Sequence, residues 1–316
     1  MRSNDLKKLS PWGPEKKLKW FLNQPVQRSY HDDVVVRVEA LKKSAGSSLK
    51  IEQYGQLTIN PEKFPLFAAR TANPSASKPT ILVTGGVHGY ETSGVKGALL
   101  FLENYIAEYS EQFNFVVVPC VSPWSWETIN RLDPVMENPN REFKPQGKAE
   151  ESLFLMSYLA ELGLVFDGHI DLHETTNSDK VFLPEEYSKN GLELRAEDIY
   201  IPDGFYLIGT EGAVRPGLEK SMMDSVAKVT HIAPADERGM ILDTPLTSEG
   251  VIHSSIPGLC AEMTAAVTKL GAYTTEMYPD SPKFKGMSVD EVEATCAKAQ
   301  VACVVGALEF WAKQEL

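Results

Sequence analysis

Pro79-Thr80-Ile81-Leu82-Val83-Thr84-Gly85-Gly86 runs directly into Val87-His88-Gly89-Tyr90-Glu91. Residues 79–86 form a short apolar run closed by two glycines, the pattern of a buried central strand. The helix expected after it spans about 91–109. There Val95, Leu99, Leu102 and Ile106 recur at spacings of four, three and four, which lays them on one face. The same alternation continues outward. Residues 113–120 read as a second buried strand, 149–162 as a helix, and 167–173 as a strand ending in Asp171-Leu172-His173. Upstream, 31–44 reads as a helix with acids first and lysines last, an order that suits the helix dipole. Residues 48–58 and 65–71 read as strands. Apolar strands alternating with helices predict an α/β fold of three layers, with a mixed, mostly parallel central sheet and helices on both faces.

Residues 175–215 are rich in acids, tyrosines and glycines and too long for a plain connector, so a surface insertion or lid is expected. Strand-like pieces recur at 229–233 and 257–262. A long helix is expected from about Ser288, because Ser288 and Glu291 have capping-box spacing. Val289, Val292, Cys296, Ala299, Cys303 and Phe310 then fall on one stripe. The four cysteines, Cys120, Cys260, Cys296 and Cys303, form no C-x-x-C pair and read as small buried hydrophobes. Residues 1–30, with seven bases and two acids, read either as an arm that packs over an acidic surface or as a polar, solvated extension, the second being favoured, and 31–316 as a single catalytic domain.

Of the 316 residues, 43% are hydrophobic and 23% charged, which is ordinary globular composition. A net charge of −12 opposes the balance a nucleic-acid binder needs. No apolar run approaches the ~18 residues of a membrane span. The N-terminus lacks the apolar core of a signal peptide, so a cytoplasmic protein is expected.

Chemistry concentrates at three strand ends. His88 and Glu91 form an H-x-x-E unit that follows a strand and opens a helix, and ligands of open α/β sheets bind just beyond the carboxyl ends of strands. A neutral imidazole and a carboxylate ionised beside a helix start suit a divalent metal. Asp171 and His173 alternate onto one strand face, so His173 can supply a third ligand. Two His and one Glu with an open fourth position is a catalytic zinc arrangement. Asp171 can accept the free N–H of a ligating imidazole. Glu174 points to the other face and joins the site only if the chain turns after His173. Glu262 closes the apolar piece Ile256–Ala261; it is either a general base near metal-activated water or an edge charge facing solvent. Asn140 and Arg141, with Arg131 upstream, either grip a carboxylate or decorate a surface loop.

H-x-x-E after a Gly-rich strand end, an Asn-Arg pair, a strand-borne His and a late Glu occur in that order. The chain thereby resembles the zinc carboxypeptidase superfamily (carboxypeptidase A-like), which includes the aspartoacylase and succinylglutamate desuccinylase branch. The resemblance runs from about residue 30 to the C-terminus. It implies one zinc ion held by His88, Glu91 and His173, Asn140 and Arg141 on the substrate carboxylate, Arg131 on the scissile carbonyl, and Glu262 as catalytic glutamate. The family's carboxypeptidases also carry a mobile tyrosine upstream of that glutamate; residues 231–261 contain none, which leaves Tyr206 as a substitute. Only 54 residues follow Glu262, too few for the extra β-rich domain of the deacylase branch. The expected function is zinc-dependent hydrolysis of an amide bond beside a free carboxylate, on peptide C-termini. The alternatives are an N-acyl amino acid deacylase and a non-catalytic binding relative. A small peptide or N-acyl amino acid is the expected partner, with no nucleic acid and no membrane.

Overall fold

The computed structural model describes residues 6–44 and 48–314. Residues 1–5 of the N-terminal extension lie outside them. The described chain begins with a short strand, β1 (Lys7–Lys8), and a helix, α1 (Pro14–Leu22), whose N1 proline suits a helix start. A wide π turn at His31–Val35 leads into α2 (Val36–Ser44). β2 (Leu49–Gln56) and β3 (Pro65–Thr71) precede β4 (Thr80–Gly85), which is buried along its whole length. α3 (Thr92–Asn104) and a further turn, α4 (Ile106–Tyr109), return the chain to β5 (Asn114–Val118). α5 (Pro123–Thr128) and α6 (Glu150–Leu162) lead to β6 (Gly168–Glu174).

The segment 175–215, expected as a surface insertion or lid, carries elements of its own. It holds α7 (Asp179–Lys189), β7 (Leu192–Glu193) and β8 (Tyr206–Gly209). α8 (Pro216–Val226), β9 (Met240–Ile241), β10 (Thr244–Ser248) and β11 (Val251–His253) follow. Residues 257–262 are not a strand. Gly258 turns the chain at φ +90°, and Glu262 opens a single helical turn, α9 (Glu262–Ala265). The piece at 229–233 contributes only an isolated bridge between Ile232 and Phe205. The strand at this end of the chain is instead β12 (Gly271–Met277), followed by α10 (Val289–Trp311).

Among the described residues, ten strands form one sheet in the order β2-β3-β5-β4-β6-β12-β8-β11-β10-β9. Its centre, β5-β4-β6-β12, is parallel, and antiparallel pairs flank it on both sides. Alternation along β4 sends Ile81 and Val83 into the core shared with α3, α8 and α10, and Leu82 into the core under α6. Helices therefore cover both faces, giving the expected three layers. The capping box at Ser288 and Glu291 is formed, and Cys296, Ala299 and Cys303 are buried, whereas Val289 at the head of the stripe is exposed.

Residues 6–30 pack against the body. β1 pairs with β7, Trp20 packs on Trp124, and Tyr30 is fully buried. The polar composition of this segment hid three aromatic anchors, Trp12, Trp20 and Tyr30. No helix of the described chain is long and apolar enough to cross a membrane.

Candidate metal centre and cleft

The loop between β4 and α3 carries His88 and Glu91. Gly86 adopts φ +65°, and a Cβ on Gly89 would lie 1.9 Å from the Ser125 carbonyl carbon, so this tight turn admits only glycine at the second position. The first N–H groups of α3 need acceptors. Glu174 supplies them, accepting from Thr92 N at 2.7 Å and Ser93 N at 2.8 Å. Glu91, although at the N-cap, makes no side-chain capping bond and stays available to the site. Burial raises the Glu174 carboxyl, the Ser93 bonds oppose it, and the balance lies at about 7.

Both imidazoles meet Glu91. His88 Nδ1 lies 2.6 Å from Oε1, and His173 Nδ1 lies 2.6 Å from Oε2. All three residues are at most 3% exposed, and their donor atoms fall within 4.8 Å of one another. The opposite ring nitrogens are held by oxygens. His88 Nε2 is 3.0 Å from Asn138 Oδ1, and His173 Nε2 is 2.7 Å from Asp171 Oδ2. Those bonds favour a proton on each Nε2, which aims each Nδ1 lone pair inward. A lone pair facing a carboxylate at 2.6 Å needs a positive charge between them, either a proton or a metal ion. Two imidazole nitrogens and a carboxylate aimed at one point are a donor set that fits a single zinc ion.

Burial, then the Arg131 guanidinium, pushes His88 down to about 4, so it is the neutral imidazole a metal requires. Burial opposes charge on His173, but Asp171 and Glu91 outweigh it and raise this imidazole well above its usual value. Burial would raise the Glu91 carboxyl, and the two imidazoles hold it below the carboxylate range. Behind the centre, Thr84 Oγ1 donates to Asp171 Oδ1 at 2.6 Å and meets His169 Nε2 at 2.9 Å. His169 Nδ1 meets Thr264 Oγ1 at 2.9 Å. His169, Asp171 and Cys260 also lie close together. Their polar atoms are taken by protein partners, so this cluster is a buried network that supports Asp171.

The centre opens into a cleft of about 350 Å³ lined by His88, Glu91, Arg131, Asn140 and Arg141 among others. Glu262 is not among its lining residues; its carboxylate accepts from Ser255 Oγ at 2.9 Å at the start of α9. Instead, the segment before it backs the Asn140–Arg141 loop, because Cys260 N donates to Asn140 Oδ1 at 2.8 Å. Glu276, by contrast, does line the cleft. β12 pairs with β6 so that Glu276 stands beside His173. Burial and the nearby Glu91 charge raise Glu276 to about 8. Thr175 Oγ1 donates to its Oε2 at 2.9 Å and is 2.6 Å from the Tyr206 hydroxyl, so Tyr206 belongs to the cleft wall. Sequence reasoning missed Glu276, although the alternation Ala272, Thr274, Glu276 against Tyr273, Thr275, Met277 is a strand signal.

Arg131 and Arg141 differ in their surroundings. Arg131 Nε donates to Glu186 at 2.9 Å and Nη1 to the Tyr90 hydroxyl at 3.0 Å, with Asp179 3.9 Å away. Both acids come from α7, so the insertion forms one wall of the cleft. Arg141 Nη1 donates to the Asn140 carbonyl at 2.6 Å, and no carboxylate pairs with it among the described residues. Asn140 Nδ2 lies 3.3 Å from His173 Nε2.

No family model matches the chain, and no curated protein matches it. Solved structures do. A metallopeptidase candidate from Shewanella amazonensis SB2B is 19% identical, with a TM-score of 0.66 over 91% of this chain and 98% of that one. A metallo-carboxypeptidase from Burkholderia cenocepacia is 14% identical, with a TM-score of 0.57 over 96% and 71%. Bovine thrombin-activatable fibrinolysis inhibitor, solved with a tick carboxypeptidase inhibitor, is 12% identical, with a TM-score of 0.60 over 94% and 100%. The chain shares the fold of these proteins along nearly its whole length.

Proposed function

We propose that this chain is a zinc-dependent hydrolase of the amide bond next to a free C-terminal carboxylate, a metallocarboxypeptidase. The observation that carries the reading is the convergence of His88 Nδ1, His173 Nδ1 and the Glu91 carboxylate, with Glu276 on the neighbouring strand. The shared fold and the open cleft support it. Those three side chains would hold the ion, which when bound polarises a carbonyl and lowers the pKa of water toward ~7.

The protein's own groups account for the remaining tasks. Arg141, a cleft cation without a carboxylate partner, receives the substrate carboxylate and sets the register of the scissile bond. Glu276 takes a proton from the attacking water as its oxygen bonds to the carbonyl carbon. It returns that proton to the amine nitrogen as the C–N bond breaks. Arg131 donates toward the carbonyl oxygen as negative charge develops there. Ile208, Leu242, Ile256 and Leu259 wall the cleft, so the terminal side chain it accepts is apolar.

A panel of C-terminally varied dipeptides and N-acyl amino acids, run with and without chelator, tests the reading. Chelator-sensitive release of apolar C-terminal residues is expected. Cleavage confined to N-acyl amino acids would move the protein to the deacylase alternative, and no cleavage at all would leave a binding relative of the fold.

A further inference from the structure

The N-terminal segment reaches the back of the metal-binding loop through one side chain, Arg28. Its Nη2 donates to the carbonyl of Gly89, between His88 and Tyr90. Nη1 donates to Thr92 Oγ1 at 2.9 Å, at the first residue of α3. Nε donates to the Trp126 carbonyl at 2.7 Å, on the adjoining helix α5. The guanidinium carbon lies 3.4 Å from the centroid of the Trp126 ring, which is itself held by Asp33 at 3.1 Å. The irregular stretch around Arg28 is fastened to α5: Gln27 N donates to the Glu127 carbonyl at 2.7 Å, and Gln27 Nε2 to the Thr128 carbonyl at 2.9 Å.

We propose that Arg28 is a positioning residue for the metal centre, a planar fork that fixes the loop carrying His88 and Glu91 against α5 and α3. This rests on the metal-site reading above. The physical reason is geometric. Gly89 packs on the backbone at Ser125 with no room for a side chain, Ser122 Oγ donates to the Val87 carbonyl at 2.7 Å, and Tyr90 N donates to the Asn130 carbonyl at 3.1 Å. Among the described residues, no other donor reaches the Gly89 carbonyl, and a buried carbonyl without a donor costs free energy unless it rotates toward water. Rotating that peptide turns the backbone at Tyr90 and, through it, the path of the chain into Glu91. Arginine suits the task because its donors diverge in one plane and reach the three acceptors at once; a lysine ammonium cannot span them. Arg28 thus acts through the loop backbone and touches neither ligand.

The test is zinc titration of the full chain against a chromophoric chelator, with amide hydrogen exchange of residues 87–91 in the zinc-free protein. Losing an outer support of a metal ligand typically weakens binding ~10–100-fold. Arg28→Ala is expected to bind zinc at least ~10-fold more weakly than wild type and to exchange faster at 87–91. Should that variant fail to fold, Arg28→Lys carries the test in the same direction. Arg70→Ala, which breaks the Arg70–Glu52 pair on the sheet edge, is the control: it is expected to lose stability and keep its zinc affinity. The proposal is overturned if folded Arg28 variants match wild type in both readouts, or if Arg70→Ala weakens zinc equally. A wild-type chain that binds zinc and cleaves nothing would remove the hydrolase reading and leave this one standing. One that binds no zinc would overturn both.

Discussion

Glu276 accepts from Thr175 at the cleft edge and stands one strand away from His173. As general base its removal should be costly: Glu276→Gln is expected to lower kcat by ~10²–10⁴ while zinc affinity, read by titration, stays unchanged. Glu262→Gln, which disturbs only a bond to Ser255, should leave kcat within about twofold of wild type. Asp171 makes a different prediction. It holds Nε2 of His173 at 2.7 Å, so Asp171→Asn is expected to weaken zinc ~10–100-fold in the same titration. His88, Glu91, His173 and Asp171, which the structure brings together, were legible one by one, because each sits at a strand end or one alternation away. Glu276 was not. Glu262 and Glu276 stand fourteen positions apart; Glu262 follows the small apolar Ala261 and Glu276 follows Thr275, so local composition drew the reading to Glu262. The Gly258 turn removes Glu262 from the sheet, and pairing with β6 brings Glu276 in.

Among the elements, α7 and α10 carry tests of different kinds. Burial would raise the Glu186 carboxyl, but Arg131's charge and bonds from Asn138 and Arg131 hold it at about 2, against an ordinary value of 4.5. Its folded value is depressed, so the stability it contributes is present above 4.5 and is lost as pH falls toward 2. Glu186→Gln should therefore be less stable than wild type at neutral pH. Urea midpoints measured across this range should show the gap closing as the solution is acidified. For α10, Ser288→Ala removes the cap on Glu291 N and should cost about 1 kcal/mol in the same assay. That cap could be read from four consecutive residues. α7 could not, because Pro184 lies inside it and its burial comes from Arg131, Asn138 and the N-terminal segment, all distant in sequence. The packing of residues 6–30 could not be chosen over a solvated extension for the same reason. The segment's lysines face solvent, while Trp12, Trp20 and Arg28 find partners only in the folded body.

At the scale of the whole molecule, the centre lies where the parallel strands β4, β6 and β12 end on one side of the sheet. His88 and Glu91 follow β4, His173 closes β6 and Glu276 closes β12, so three crossovers deliver their side chains to one point. A ligand that binds only the assembled point stabilises the assembled fold. Zinc at a hundredfold over its Kd is expected to add about 2.7 kcal/mol, lost on chelation and visible as a lower melting temperature. The amino-acid sequence by itself determined the three-layer α/β class, the two ligand segments and the buried cysteines of α10, because hydrophobic period, capping and strand-end glycines act over a few residues. Only the tertiary structure decided which glutamate of the two lines the cleft, which arginine is left without a carboxylate among the described residues, and that residues 6–30 pack against the body. Strand register and side-chain pairing join segments far apart along the chain, and no local pattern encodes which partner each will meet.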